Sequence, residues 1–200
     1  MFAECFENVR STCPLIHNIT NYVTVNDCAN ICICAGGSPV MTDAAPDVPD
    51  MVSIASATVL NMGTLNPRTV ESMFLAAKAT RVKGVPIILD PVGAGATAYR
   101  TDTARELMSF GPSVIKGNAG EIGILSGMGG EVKGVDSKGS VDQAESTRSL
   151  AERMGCIVAS TGETDYVSDG RVVMRLSNGS ALLEKVSGTG CMVSSVIGCY

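Results

Sequence analysis

Five short stretches carry the residue types from which phosphate chemistry is built. Asn61-Met62-Gly63, Asp90-Pro91-Val92-Gly93-Ala94-Gly95, Lys116-Gly117-Asn118-Ala119-Gly120-Glu121 and Thr161-Gly162-Glu163 each follow a run of strand formers, and Ser187-Gly188-Thr189-Gly190-Cys191 opens a last apolar segment. In a parallel α/β sheet, ligands bind beyond the carboxyl ends of the strands, so these residues are expected on one rim. Small residues, two acids, a lysine and a threonine suit a phosphate ligand with a divalent cation.

Each element also has a plainer reading. Glycines ahead of a helix let successive N–H groups face one concavity, where the helix dipole adds positive potential. The same Gly188-Thr189-Gly190 could be an ordinary turn and N-cap. Asp90 and Glu121 each follow a buried strand, where a carboxylate is costly unless paired or metal-bound; Mg²⁺ takes one or two such groups and leaves the rest to water and phosphate. Alternatively Asp90 forms a turn before Pro91, and Glu121 sits as a first-turn acid. Cys191 at a helix start is either a base or nucleophile with thiolate character or a tightly fitting packing residue. His17, the single histidine, reads as a hydrogen-bonding residue that shapes a pocket rather than a proton carrier. Lys133 and Lys138 read as solvated loop charges.

The elements that must hold these residues alternate. Ala57–Asn61 reads as a buried strand, and Asn66-Pro67 caps a helix that Gly84 closes. Val85–Asp90 is continuously apolar up to its closing Asp90, as expected of a strand covered on both faces. A helix over Thr101–Phe110, a strand over Val114–Lys116 and a short helix from Asn118 follow, then a glycine-rich loop from Gly127 to Gly139. Ser140 and Gln143 form a capping box for a helix to Met154, which Gly155 stops. Cys156–Ser160 is a further strand. The rhythm then changes to Tyr166–Ser168, Arg171–Leu176 and Ala181–Val186, with hairpin turns at Asp169-Gly170 and Asn178-Gly179. The pattern predicts one α/β domain over residues 1–200, with a mainly parallel sheet, helices on both faces and a late antiparallel edge hairpin. The last segment has no C-cap, so the chain is expected to stop inside a helix.

Composition narrows the class. The 200 residues are 45% apolar and 18% charged, which excludes wholesale disorder. Fifteen Lys+Arg against twenty Asp+Glu give a net charge of −5 without a dense basic run, which argues against nucleic-acid or membrane partners. The longest charge-free apolar run, from Ile31 to Met41, is too short to span a bilayer. Eight cysteines without a CxxC pair read as free thiols packed as small hydrophobes in a reducing compartment, and so as a cytoplasmic chain. Met62, Met73, Met108 and Met154 read as core filler.

Together, Asn118-x-x-Glu121, the strand-end Asp90–Gly95 run and Gly188-Thr189-Gly190 resemble the ribokinase-like superfamily of small-molecule kinases. More narrowly, Pro14–Asn21 (PLIHNITN), Ser38–Met41, Asp90–Thr97 (DPVGAGAT) and Lys116–Glu121 resemble the hydroxyethylthiazole kinase family, from about Val9 to Tyr200. That resemblance implies ATP-dependent phosphorylation of 4-methyl-5-(2-hydroxyethyl)thiazole in thiamine diphosphate synthesis, on a chain longer than this one. It implies a pocket lined by Asn21, Val23, Met41 and Gly63, touched by Gly188, with ATP contacted by Lys116, Thr161 and Gly190. It further implies Mg²⁺ held by Asp90 and Glu121, partly through water, and a homotrimer with sites shared between neighbours. Lys116 stands where relatives often have arginine, which keeps the charge without the bidentate fork. Most ribokinase-like kinases carry a catalytic aspartate where this chain has Cys191, whereas thiazole kinases commonly carry cysteine. The competing readings are a kinase for a related alcohol such as hydroxymethylpyrimidine, a ribokinase-like dehydratase acting on hydrated NAD(P)H, a cysteine enzyme pairing Cys191 with His17, and a non-catalytic binding module.

Overall fold

The computed structural model describes residues 2–129 and 142–200; Lys133, Lys138 and Ser140 lie outside the described residues. The chain divides into two compact units, Met1–Ile88 with Ser187–Tyr200, and Leu89–Val186.

Unit one opens with elements that its turn residues do not advertise: α1 (Phe2–Thr12), β1 (Leu15–Ile19), α2 (Val25–Ala35), β2 (Ser38–Met41) and α3 (Val48–Ile54). β3 (Ala57–Asn61) and α4 (Pro67–Lys83) fall where the sequence places them. Asn66 accepts from Thr69 N in a capping box, Pro67 begins the helix, and Gly84 ends it in the left-handed region. β1 runs parallel to β2 and to β3, with His17 opposite Val40 on one side and Thr58 on the other. Every residue of β3 is buried, Thr58 and Asn61 included, as expected of a parallel strand covered on both faces. Met62 and Met73 fill this core. After Ser187 the chain returns to unit one as α8 (Thr189–Ile197). Cys32 of α2 meets Cys199 with the sulfurs 3.5 Å apart. A Cβ at Gly37 would fall 2.7 Å from the Cys199 sulfur, so only glycine leaves room for the pair.

β4 (Ile87–Asp90) carries the boundary between the units. Unit two continues with α5 (Ala98–Met108), β5 (Val114–Asn118), α6 (Ala119–Ser126), α7 (Gln143–Met154), β6 (Ile157–Thr161), β7 (Asp165–Ser168) and β8 (Val173–Leu176). β5 and β6 pair parallel, and β6, β7 and β8 pair antiparallel. The mainly parallel α/β architecture with a late antiparallel hairpin is therefore present. Asp169 Oδ1 accepts the Arg171 and Val172 amides at 2.8 Å across the β7–β8 turn, the Asx geometry expected of Asp-Gly.

Three expectations change. The third late strand does not form: Ala181–Lys185 is a 3-10 helix, and the Ser180 hydroxyl accepts the Leu182 amide at 3.3 Å. Leu182 and Leu183 are exposed, so alternation there meets no buried face, and the local cap wins. The α7 cap is Asp142, whose side chain accepts from Ala144 N and Glu145 N; Gln143 instead donates Nε2 to Ser160 Oγ at 2.9 Å. All eight cysteines are free thiols, yet only Cys28, Cys32, Cys156 and Cys199 are buried, while Cys5, Cys13 and Cys34 are exposed. The latter three lie on α1, just after it, and on the outer side of α2, where small apolar side chains have no core to fill.

Candidate functional site

In unit one the chemistry gathers around one amide. Asn21, just past β1, is buried. Its Nδ2 donates to Asn61 Oδ1 at 2.9 Å and to Cys191 Sγ at 3.3 Å, and its Oδ1 accepts from Thr24 N and Thr24 Oγ1, both at 3.1 Å. Every hydrogen-bonding position of that side chain is used. Asn61 Oδ1 also accepts the Gly63 amide at 2.9 Å, and a Cβ at Gly63 would press on Asn21 at 2.6 Å. Gly188 is the N-cap of α8 with φ +81°, and a Cβ there would overlap Thr24 Cγ2. It brings no side-chain acceptor to the first-turn amides. Gly190 and the half-buried Cys191 lie in that first turn. Behind it, Ser195 Oγ donates to Asn18 Oδ1 at 3.0 Å and ties α8 to β1. Met41 is half-buried at the end of β2, whereas Val23 is exposed.

His17 stands apart from Cys191 in this network. Its Nε2 bonds the Thr42 carbonyl at 3.0 Å, fixing the chain just after Met41, while Nδ1 has no partner among the described residues. The hydrogen-bonding role stands. Burial holds its pKa below the ordinary 6.5, against the opposing pull of the Thr42 carbonyl and Asp47. The folded ring therefore stays neutral where the unfolded ring takes a proton, so stability is full above about pH 6.5 and is lost as pH falls. Urea midpoints measured from pH 8 to pH 5 should fall more steeply in the wild type than in His17→Gln, which keeps a donor for Thr42. Equal slopes would remove His17 as the source.

Unit two holds the acids. Asp90, wholly buried, pairs with the almost completely buried Lys116 at 3.5 Å. Glu121 spends both oxygens on main-chain amides: Oε2 accepts from Asn118 N at 2.8 Å in a capping box, and Oε1 accepts from Gly93 N at 2.7 Å. Burial raises its pKa, the Gly93 and Asn118 amides pull it down, and nearby Asp90 pushes it up. Gly95 N donates to Thr101 Oγ1 and Arg100 Nη1 to Val92 O, so the turn after β4 is pinned from α5 and α6 together. Thr161 Oγ1 reaches the Gly117 carbonyl at 3.3 Å. No cluster of three His, Cys, Asp or Glu side chains exists among the described residues. Each carboxylate oxygen keeps lone pairs beyond those bonds, so Asp90 and Glu121 fit a largely hydrated Mg²⁺ shared with phosphates rather than a closed protein cage.

Sequence reasoning had noted the strand end Asn61-Met62-Gly63 but gave Asn61 no role, and it did not foresee Thr24 or the Asp90–Lys116 pair. The signal for Asn61 was present, an amide closing a wholly buried strand.

Comparison with known proteins settles the family. The model of the hydroxyethylthiazole kinase family matches residues 6–200. The chain belongs to that family. A hydroxyethylthiazole kinase of Methanocorpusculum labreanum is 53% identical over 199 residues, covering 98% of this chain and 75% of its own. The hydroxyethylthiazole kinase structure from Pyrococcus horikoshii OT3 aligns with TM-score 0.90 at 42% identity, covering 98% of this chain and 74% of that one. A ribokinase-like superfamily protein from Enterococcus faecalis V583 shares the fold, with TM-score 0.67 at 11% identity over 96% of this chain and 72% of its own. As in the sequence reading, this hydroxyethylthiazole kinase family member has the ribokinase-like α/β fold. Among its described residues no helix is long and apolar enough to cross a membrane.

Proposed function

We propose that the chain transfers the γ-phosphoryl group of ATP to the hydroxyl of 4-methyl-5-(2-hydroxyethyl)thiazole, for thiamine diphosphate synthesis. The observation that carries this reading is the placement of Cys191 in the first turn after Gly188, with Asn21 Nδ2 3.3 Å from its sulfur. A proton acceptor, an anion cradle and a neutral polar wall are what an alcohol kinase needs at the acceptor hydroxyl.

Phosphoryl transfer requires positioning and charge stabilisation more than covalent chemistry. In this reading Asn21, Val23, Met41, Gly63 and Gly188 hold the thiazole alcohol, and the first-turn amides through Gly190 receive the transferring phosphoryl group. The Cys191 sulfur takes the hydroxyl proton as the oxygen–phosphorus bond forms, and ADP leaves with the electron pair of the broken bond. Lys116 and Thr161 are assigned to the nucleotide. Asp90 and Glu121 would hold Mg²⁺ through water, which supplies charge neutralisation on the phosphates. The reading includes a homotrimer with shared sites, to which exposed Tyr22 and Val23, directly after Asn21 in the chain, offer apolar surface, and the eight free thiols suit the cytoplasm.

A single assay tests both the reaction and the base. Mass spectrometry of products from ATP, Mg²⁺ and the thiazole alcohol should reveal the thiazole monophosphate, with hydroxymethylpyrimidine a poorer acceptor. Cys191→Ala should lower kcat about tenfold, beneath the usual range for general bases because the proton leaves late, whereas Cys191→Asp retains or raises it. A fully active Cys191→Ala would take the thiol out of the mechanism, and no thiazole phosphate from the wild type would overturn the function.

A further inference from the structure

We propose that Asn61 is a positioning residue that sets the reactivity of Cys191 by fixing the orientation of the Asn21 amide. The inference rests on the reading of Cys191 as the acceptor of the substrate proton, and it assigns that role's control to a side chain one strand away.

The argument is one of hydrogen-bond direction. Asn21 can present either its NH₂ or its carbonyl to Cys191, and the two faces have opposite consequences. An N–H aimed at sulfur favours the thiolate, whereas a carbonyl aimed at it favours the neutral thiol. The choice is made by the neighbours. Asn61 Oδ1 accepts from Asn21 Nδ2 at 2.9 Å and is steered by the Gly63 amide, which donates to the same oxygen at 2.9 Å. On the opposite edge, Thr24 N and Thr24 Oγ1 both donate to Asn21 Oδ1 at 3.1 Å. The Thr24 hydroxyl is itself kept pointing that way by Cys28 Sγ, 3.7 Å off, which donates to its oxygen. Turning the Asn21 amide over would set carbonyl against carbonyl at Asn61 and NH₂ against the amide donor of Thr24. Asn21 and Asn61 are both buried, so water cannot cheaply repair either mismatch. Of the two clamps, Asn61 faces the NH₂ that reaches Cys191 at 3.3 Å, so its loss frees the hydrogen that matters.

The test reads the sulfur directly. Iodoacetamide labelling of Cys191, followed by peptide mass spectrometry to separate it from the other seven cysteines, gives a rate as a function of pH without requiring catalysis. Asn61→Ala should slow labelling at pH 7.5 about fivefold and move the midpoint of the rate–pH profile upward, with a comparable fall in kcat and an unchanged KM for ATP. Asn61→Asp, which keeps an acceptor for Asn21 and Gly63, should label within about threefold of the wild type. Thr24→Val, nearly the same shape but without the hydroxyl donor, should also slow labelling, and it carries the test if Asn61→Ala does not fold. Wild-type labelling rates and profiles in whichever of Asn61→Ala and Thr24→Val folds would overturn the proposal. If labelling responds as expected while no variant or wild type phosphorylates the thiazole, the functional reading falls and the Asn61–Asn21–Cys191 coupling stands.

Discussion

Lys116→Met is expected to destabilise the protein by about 3–5 kcal/mol, the usual penalty for removing one partner of a buried ion pair. Both members are hidden from solvent, Lys116 almost completely and Asp90 wholly, with 3.5 Å between Nζ and Oδ2. Methionine keeps the length of the side chain and most of its apolar contacts, so the loss measures charge rather than packing. Without the ammonium, the Asp90 carboxylate keeps its desolvation cost and loses its counter-ion. Glu121, whose pKa Asp90 already pushes up, shares the same turn. The double variant Asp90→Asn with Lys116→Met should recover a substantial part of the stability, because neither position then holds a buried charge without its partner. Urea unfolding of the four proteins in the cycle decides it. Equal midpoints for wild type and Lys116→Met would mean that the pair is held at no net benefit, and an unimproved double variant would mean that the penalty is steric.

That pair also marks where the sequence ceased to be legible. The type and place of Asp90, Lys116 and Glu121 at strand ends follow from apolar runs that stop at Asp90 and Lys116, and from an Asn-x-x-Glu spacing that opens a helix. Which charge meets which does not follow, because it depends on the lateral order of strands, and that is set by long-range pairing rather than by local pattern. Glu121 illustrates the gap: both readings of it, dipole acid and metal holder, draw on the same carboxylate, and the capping box takes one oxygen and the Gly93 amide the other without deciding between them.

Unit one was harder to read for a different reason. Its first fifty residues hold short elements with incomplete boundary signals: α2 ends at Gly36 in the left-handed region and α3 has a proline in its first turn, yet neither N-cap side chain bonds its helix. The cap of α2 is Thr24 with no side-chain bond to the helix, and α3 is only seven residues long. By contrast α4 has Asn66-Pro67 at one end and Gly84 at the other, and it falls where it was expected. Thr24 fails as a cap signal because its hydroxyl is turned to Asn21 instead. A residue recruited by the site leaves the local code, and such departures are expected at functional positions.

The largest loss of activity is expected from Gly188→Ala. The residue sits at φ +81°, a region that costs an alanine roughly 1–2 kcal/mol. The added Cβ would also overlap Thr24 Cγ2, and Thr24 cannot retreat without releasing Asn21. The loop must therefore move, and the first-turn amides of α8 move with it. Losing one well-aimed amide at a charged transition state typically lowers kcat by about 10²–10³-fold, and the same loss is expected here. Backbone strain and steric overlap can be separated. Thr24→Ser removes the obstructing methyl group and keeps the hydroxyl that donates to Asn21, so Gly188→Ala combined with Thr24→Ser should regain part of the turnover, limited by the left-handed backbone and by the Thr24 Cβ that remains 2.9 Å away. Steady-state kinetics on the single and double variants, with thermal melts to verify folding, provide the comparison. A Gly188→Ala enzyme with wild-type kcat would show that the turn before α8 only ends one segment and begins another, and the phosphoryl group would then have to be received elsewhere.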